Sequence, residues 1–202
     1  MKNIFSVWKP VGISSYDVIR KLKSQYPGQK IGHGGTLDPL AEGILVIGVG
    51  EGTKQLQSVL KNSQKVYEAT IELGKVSETD DAEGPISESA EEGDQPIKQA
   101  IISVLKEFTG VIDQVPPRYS AVKINGVPAY KRARRGEPFQ LEAKKVTINE
   151  IIVNDYEYPI LKITVTCGSG VYIRALARDI GAKLGTGAYL SHLKRTRVGD
   201  FH

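Results

Sequence analysis

Apolar and polar residues alternate along "KVYEATIELG". Tyr67, Ala69, Ile71 and Leu73 fall on one side, Glu68, Thr70 and Glu72 on the other. A period of two predicts a half-buried strand. "PILKITVTCG" repeats the pattern with Leu161, Ile163, Val165 and Cys167 on one face, and "KKVTINEIIV" and "AYLSHLKRTRVGDF" read as further strands. Residues 4–8 predict a short strand, and the unbroken apolar run at 44–49 predicts a fully buried one. Elsewhere the period lengthens to that of a helix. "SSYDVIRKLKSQYP" puts Val18, Ile19 and Leu22 on one face behind an N-cap at Ser14 or Ser15. "TKQLQSVLKN" predicts a short helix, and "QPIKQAIISVLKEFTG" a longer one with Pro96 near its start and Gly110 at its end. "GVYIRALARDIGAKLG" carries a stripe of Ile173, Leu176, Ala177, Ile180 and Leu184.

Three segments lack either period. Residues 31–43 form a glycine-rich loop, and residues 77–94, poor in apolar side chains, read as a surface loop. Residues 118–140 hold turn signals at Asn125-Gly126 and Gly136, which predict a hairpin-and-helix excursion. With no internal repeat and no linker, the pattern predicts one α/β (α+β) domain over residues 1–202, its central sheet largely antiparallel and flanked by helices.

Composition narrows the class. The 202 residues are 40% hydrophobic, enough for a substantial core. No apolar run approaches the roughly 20 residues that span a bilayer, and "MKNIFSVWKPVG" lacks the apolar centre of a signal peptide. The single cysteine, Cys167, cannot form an internal disulfide, so a reduced, cytoplasmic setting is expected and Cys167 is read as a core residue. The net charge of +4 matters less than its distribution. Residues 77–95 hold eight acids and no Lys or Arg, whereas 118–136 hold Arg118, Lys123, Lys131, Arg132, Arg134 and Arg135 and no acid. Lys194, Arg195 and Arg197 make a second basic cluster. Clustered cations suit a polyanion such as nucleic acid, or simply a solvated charged face.

Several familiar motifs fail. In "GVGEGTK" a phosphate-binding loop beginning at Gly48 needs glycine at 53, where Thr53 stands, and a dinucleotide fingerprint needs its third glycine there too. His33, His192 and His202 show no metal spacing, and no Gly-x-Ser-x-Gly elbow occurs. No cofactor and no metal are expected. What remains is Asp38, on a loop at the rim of the predicted core, where burial can perturb a carboxylate and a ligand can reach it. By itself that loop fits an ordinary turn aspartate before Pro39 equally well.

Five stretches in order change the balance: "WKPVGISSYDVI", "GHGGTLDPLAEGIL", "KVYEATIELG", "RYSAVKINGVPAYKRARRGE" and "GSGVYIRALARDIGAKLGTGAYLSHLKRTRVGDF". Together they resemble the TruB-type tRNA pseudouridine synthases over most of residues 5–201. The resemblance implies a pseudouridine-synthase-like catalytic domain that flips uridine 55 out of the T arm of tRNA and isomerises it. It implies that Asp38 is the essential carboxylate and that Arg174 pairs with it. Tyr67 would stack on the flipped uracil, Tyr172 and Leu193 would wall the pocket, and His33 would fill the space the base vacates. The insertion at about 118–140, with Arg118, Lys123, Lys131, Arg132, Arg134 and Arg135, would grip the RNA. Lys9 and Pro10 would support the catalytic loop. The implied partner is the tRNA T-arm stem-loop, with no membrane, no metal and a monomeric state. Family members usually continue past the Val-Gly-x-Phe segment into a C-terminal RNA-binding appendage; with the sequence ending at His202, the expectation is a catalytic domain without it, as a minimal form or a cut one. A different class of protein, a non-catalytic RNA-binding or RNA-folding protein on the same scaffold, would share the basic insertion but have no use for a buried ion pair.

Overall fold

The alternating segments pair edge to edge. A computed structural model describes residues 3–89 and 94–202. Strand β1 (Ile4–Lys9) leads into helix α1 (Ser15–Leu22), then β2 (Ile31–Gly34), β3 (Glu42–Val49), helix α2 (Gly52–Leu60) and β4 (Lys65–Leu73). A small hairpin of β5 (Lys75–Ser77) and β6 (Ile86–Glu88) precedes α3 (Lys98–Glu107) and β7 (Gly110–Gln114). The insertion contributes β8 (Lys123–Ile124), β9 (Val127–Pro128) and α4 (Ala129–Arg134). Strands β10 (Lys144–Glu157) and β11 (Ile160–Cys167), helix α5 (Ile173–Leu184) and β12 (Ala188–Val198) complete the chain.

The main sheet runs β1-β3-β12-β4-β11-β10-β7, with β2 also paired to β3. Every pairing is antiparallel except β12 with β3, so the sheet is mixed and largely antiparallel, as the patterning predicts. The apolar faces of β4 and β11 and the stripe of α5 meet in the largest core cluster, which includes Ile71, Ile163, Cys167, Leu176 and Ile180. Burial pushes the Cys167 thiol up to about 11, consistent with a packed, unreactive cysteine. Helix α1 packs Val18 and Ile19 on Leu45, Ile47 and Val49 of β3. Its start is a capping box: the Ser14 hydroxyl accepts from Asp17 N at 3.2 Å and Asp17 Oδ2 accepts from Ser14 N at 2.9 Å. No helix among the described residues is long and apolar enough to cross a membrane.

Three segments depart from the pattern-based expectation. The glycine-rich run 31–34 is a strand, not loop, because its glycines let it slide beneath α2. A Cβ at Gly34 would stand 2.0 Å from Leu60 Cδ1. Gly110 opens edge strand β7 instead of closing α3, and Ile112 turns onto the core while Val111 faces solvent. The acidic segment forms the β5–β6 hairpin, whose tip docks on β12 through Leu190 N to Asp80 O (3.0 Å) and Ala82 N to Leu190 O (3.1 Å). It is therefore a built element over 77–89, and the part of the loop expectation at 90–93 lies outside the described residues. The insertion is the expected hairpin and helix, with Asn125 and Gly126 both at positive φ in a two-residue turn.

Candidate active site

Asp38 sits on the loop between β2 and β3, and buried groups fix that loop at several points. Ser15 Oγ donates to Leu37 O and accepts from Leu37 N, each at 2.9 Å. Lys9 is fully buried, and its ammonium donates to Ile13 O (2.7 Å), Pro10 O (2.9 Å) and Pro39 O (3.5 Å). Gly12 N adds a bond to Pro39 O at 2.8 Å. Burial lowers the Lys9 pKa, while Glu83 and Asp38 pull it back up. On the other side Arg195 donates to Gly35 O and Ile44 O, both at 2.8 Å. The two strands meet so closely there that a Cβ at Gly43, whose φ is +118°, would lie 2.2 Å from Arg195 O. Arg195 is thus a buried strut and not part of a surface basic cluster.

Arg174, in the first turn of α5, is the hub. Its Nε lies 3.0 Å from Asp38 Oδ2 and 3.4 Å from Asp81 Oδ2. Nη1 donates to Thr79 O at 3.0 Å and Nη2 to Tyr119 O at 3.2 Å. One guanidinium therefore joins the Asp38 loop, the acidic hairpin and the basic insertion. Its donors are used by groups in fixed directions, which a planar fork can do and an ammonium cannot. The two carboxylates differ in access: the Asp38 side chain is 42% exposed, that of Asp81 only 2%. Asp81 is spent inward, accepting also from Thr79 Oγ1 (2.6 Å) and Glu83 N (3.0 Å). Asp38 keeps its free edge toward a cavity.

That cavity has a volume of about 380 Å³, in the range of a small-ligand pocket. Asp38 and Arg174 form one side, and Tyr67, Leu193, Tyr172 and Lys65 contribute to the rest. Tyr67 comes from β4 with its ring on the apolar face, and Leu193 lies opposite Ala69 in the β12–β4 register. The Tyr67 hydroxyl does not stay in water. Burial raises its pKa, and the Arg195 guanidinium beside it acts in the opposite sense. Tyr172 is held by its main chain: Gln114 Nε2 donates to Tyr172 O (3.1 Å) and Gln114 Oε1 accepts from Tyr172 N (2.9 Å). Burial raises the Tyr172 pKa as well. His33, by contrast, stands on β2 outside the cavity lining. Its Nδ1 is buried without a hydrogen-bond partner, and burial, then Arg195, lower its pKa, favouring the neutral ring.

A second cavity of about 540 Å³ adjoins the ion pair on its other side, between the acidic hairpin and the insertion. Glu83 lines it, with a carboxyl raised by burial and by the neighbouring charges of Asp81 and Asp38. Across from it stand Tyr130 and Arg134, the guanidinium carbon 5.6 Å from the ring centroid. The six insertion cations are not equivalent. Arg118 stacks over Phe139 at 5.0 Å; Arg132 and Arg135 both pair with Glu137, at 3.2 and 3.5 Å; Lys123 and Lys131 stand exposed.

Asp81, Asp80, Thr79, Gln114, Ser15 and Arg195 were not singled out from sequence as parts of the site. Asp80 and Asp81 lay inside an acidic run that gave no sign of burial. The available signal was α5: Arg174 and Arg178 stand four apart, on one helical face. Arg178 donates to Asp80 (2.9 Å), Asp179 (2.8 Å) and Val115 O (2.8 Å), which locks the hairpin tip one turn along from Arg174. Among the described residues no group of three or more His, Cys, Asp and Glu side chains could hold a metal ion.

Comparison with known proteins places the chain in a family. Residues 20–173 match the TruB family pseudouridylate synthase N-terminal domain, and residues 174–202 the tRNA pseudouridylate synthase B C-terminal domain. That division cuts the site itself, since Asp38 falls before it and Arg174 after it. A tRNA pseudouridine synthase B of Thermobifida fusca is 45% identical over 201 residues, covering 96% of this chain and 68% of its own. One from Streptomyces coelicolor is also 45% identical, covering 96% and 66%. The chain thus spans about two thirds of the length of these curated relatives. Among solved structures, a Cbf5-Nop10-Gar1 complex superposes with a TM-score of 0.74 at 32% identity, over 98% of this chain and 49% of the other. An H/ACA RNP bound to a substrate RNA containing 2'-deoxyuridine gives 0.70 at 30% identity, covering 98% and 48%. With family matches over residues 20–173 and 174–202, the chain belongs to the TruB family of pseudouridylate synthases.

Proposed function

We propose that this chain isomerises uridine to pseudouridine in tRNA, at position 55 of the T arm. The observation that carries the reading is a half-exposed carboxylate, Asp38, fixed at 3.0 Å by a buried arginine on the wall of a nucleobase-sized cavity. The relatives named tRNA pseudouridine synthase B support tRNA as the substrate. The target base leaves its stack at a cost of a few kcal/mol and enters the cavity. There Tyr67 stacks on it, Leu193 and Tyr172 exclude water, and His33 fills the gap left in the RNA loop. Asp38 supplies the one carboxylate free to act on the nucleotide, as nucleophile or base. The N1 glycosidic bond breaks, a bond to C5 forms, the C5 hydrogen leaves as a proton and N1 gains one. Arg174 holds Asp38 in line throughout. The enzyme works as a cytoplasmic monomer without cofactor.

The test is tRNA carrying tritium at uracil C5. Wild type releases tritium to water, and Asp38→Asn releases none while still binding the RNA. A protein that binds the T-arm stem-loop tightly and releases no tritium would instead be an RNA-folding module on this scaffold.

A further inference from the structure

The charges lining the 380 Å³ cavity do not cancel. Asp38, Arg174, Lys65 and Arg195 all line it. Arg174 is answered by Asp38 and Asp81. Arg195 spends its hydrogen bonds on the carbonyls of Gly35 and Ile44. Lys65 spends its own on the Ser169 hydroxyl, at 2.9 Å. Among the described residues neither cation forms an ion pair. The groups that act on the Lys65 charge are the Cys167 thiol and Arg195, and no carboxylate is among them. Burial, the largest influence on Lys65, disfavours its charged form. Lys65 is half-buried as a residue while its ammonium meets Ser169 at the exposed rim, and with no carboxylate partner its charge is open to an anion.

Position identifies that anion. Lys65 opens β4 two residues before Tyr67, so strand alternation puts both on one face, about 7 Å apart along the strand. A base stacked on Tyr67 has its ribose and phosphate within reach of the ammonium. Lys65 stands at the cavity rim, tied to Ser169 on the turn that leads into α5. Resting on the functional reading above, we propose that Lys65 binds a backbone phosphate flanking the target uridine, Arg195 adding to the positive field behind it. The ligand class is an RNA phosphodiester, and the site is distinct from the exposed cations of the insertion.

A charge cycle tests this. Stem-loop RNAs are made with a neutral methylphosphonate at either phosphate flanking the target uridine. Binding by wild type, Lys65→Gln and Lys65→Arg is measured over a range of salt, alongside tritium release. One of the two neutral linkages should weaken wild-type binding about tenfold, as expected for a lost charge-assisted bond. Lys65→Gln should weaken the unmodified RNA by a similar factor and reduce the salt slope by about 0.7, the value for one single-strand phosphate. The two changes together should cost no more than either alone, and Lys65→Arg should restore most of the affinity. Losses that multiply, or an unchanged salt slope, would overturn the assignment. If Lys65→Gln fails to fold, the wild-type series decides: no loss at either neutral linkage sinks the proposal. Wild type that binds but releases no tritium contradicts the isomerase reading and leaves the phosphate cycle interpretable on its own.

Discussion

Residues 75–89 and 118–140 carry opposite charge, yet each delivers a backbone carbonyl to Arg174, from Thr79 and Tyr119 respectively. Beyond that shared duty they differ. The acidic hairpin turns its charge inward: Asp81 is 1% exposed against Arg174, and Asp80 pairs with Arg178. The basic insertion keeps its charge outward and partly consumes it at home, two arginines on Glu137 and two over aromatic rings. A run of like charge is therefore neither surface nor site by composition. Its place is set by whether the opposite charge stands on an element the run can reach. For the hairpin, that element is α5. For the insertion, Glu137 answers two arginines while Lys123 and Lys131 face solvent.

The sharpest way to break this contrast is at the shared arginine. Arg174→Lys keeps the charge but cannot serve two carboxylates and two carbonyls from one plane. A loss in single-turnover rate of about 10³-fold is expected, the upper range for one preorganised donor. Asp81→Asn should cost less, about 10²-fold, because Asp38 still holds Arg174 and what is lost is alignment. Rates within a few-fold of wild type for Asp81→Asn would make the hairpin mere covering, as its sequence alone suggested.

One helical turn further on, Asp80→Asn should lower kcat about tenfold, or about 1.4 kcal/mol, with little change in KM, since it loosens the hairpin tip and touches no substrate. It also has a pH signature. Burial raises the carboxyls of Asp80, Glu83 and Asp179 above their ordinary values. The folded state then binds these protons more readily than the unfolded state, so their contribution to stability grows as pH falls through the folded pKa and is lost as pH rises. Thermal unfolding of wild type and Asp80→Asn between pH 7 and pH 4 should show the difference moving in favour of wild type on acidification. A difference independent of pH would mean that Asp80 is not the buried acid described here.

How much of this was legible differs by element in the same way. The strands β4, β11 and β12 and helix α5 were readable because a single period governs each, and burial enforces it. Asp38 stood out as a loop carboxylate at the rim of the predicted core, but its role and its pairing with Arg174 came from motif resemblance, which periodicity could not have supplied. Strand β2 was missed because its glycines carry no side-chain pattern; they are there for close approach to α2. The β5–β6 hairpin was missed because its burial depends on Arg174 and Arg178, about 95 residues away in sequence. Arg195 was misplaced for the mirror reason: its partners are carbonyls, which every sequence has everywhere.

The smallest predicted effect asks which insertion cations remain free for RNA. Lys131 is exposed and forms no ion pair among the described residues, while Arg132 is held by Glu137 at 3.2 Å. If each phosphate contact releases condensed counterions, Lys131→Gln should flatten the salt dependence of RNA binding by about 0.7 to 0.9 in log–log slope, with a few-fold loss of affinity. Arg132→Gln should leave the slope nearly unchanged, because its charge is already neutralised within the protein. Glu137→Gln should then act in reverse: it frees Arg132 and Arg135, steepens the slope and tightens binding at low salt. Equal slopes for the Lys131 and Arg132 variants would show that the Glu137 pairs open on contact with RNA. The insertion would then differ from the acidic hairpin in sign alone, and not in how it uses its charge.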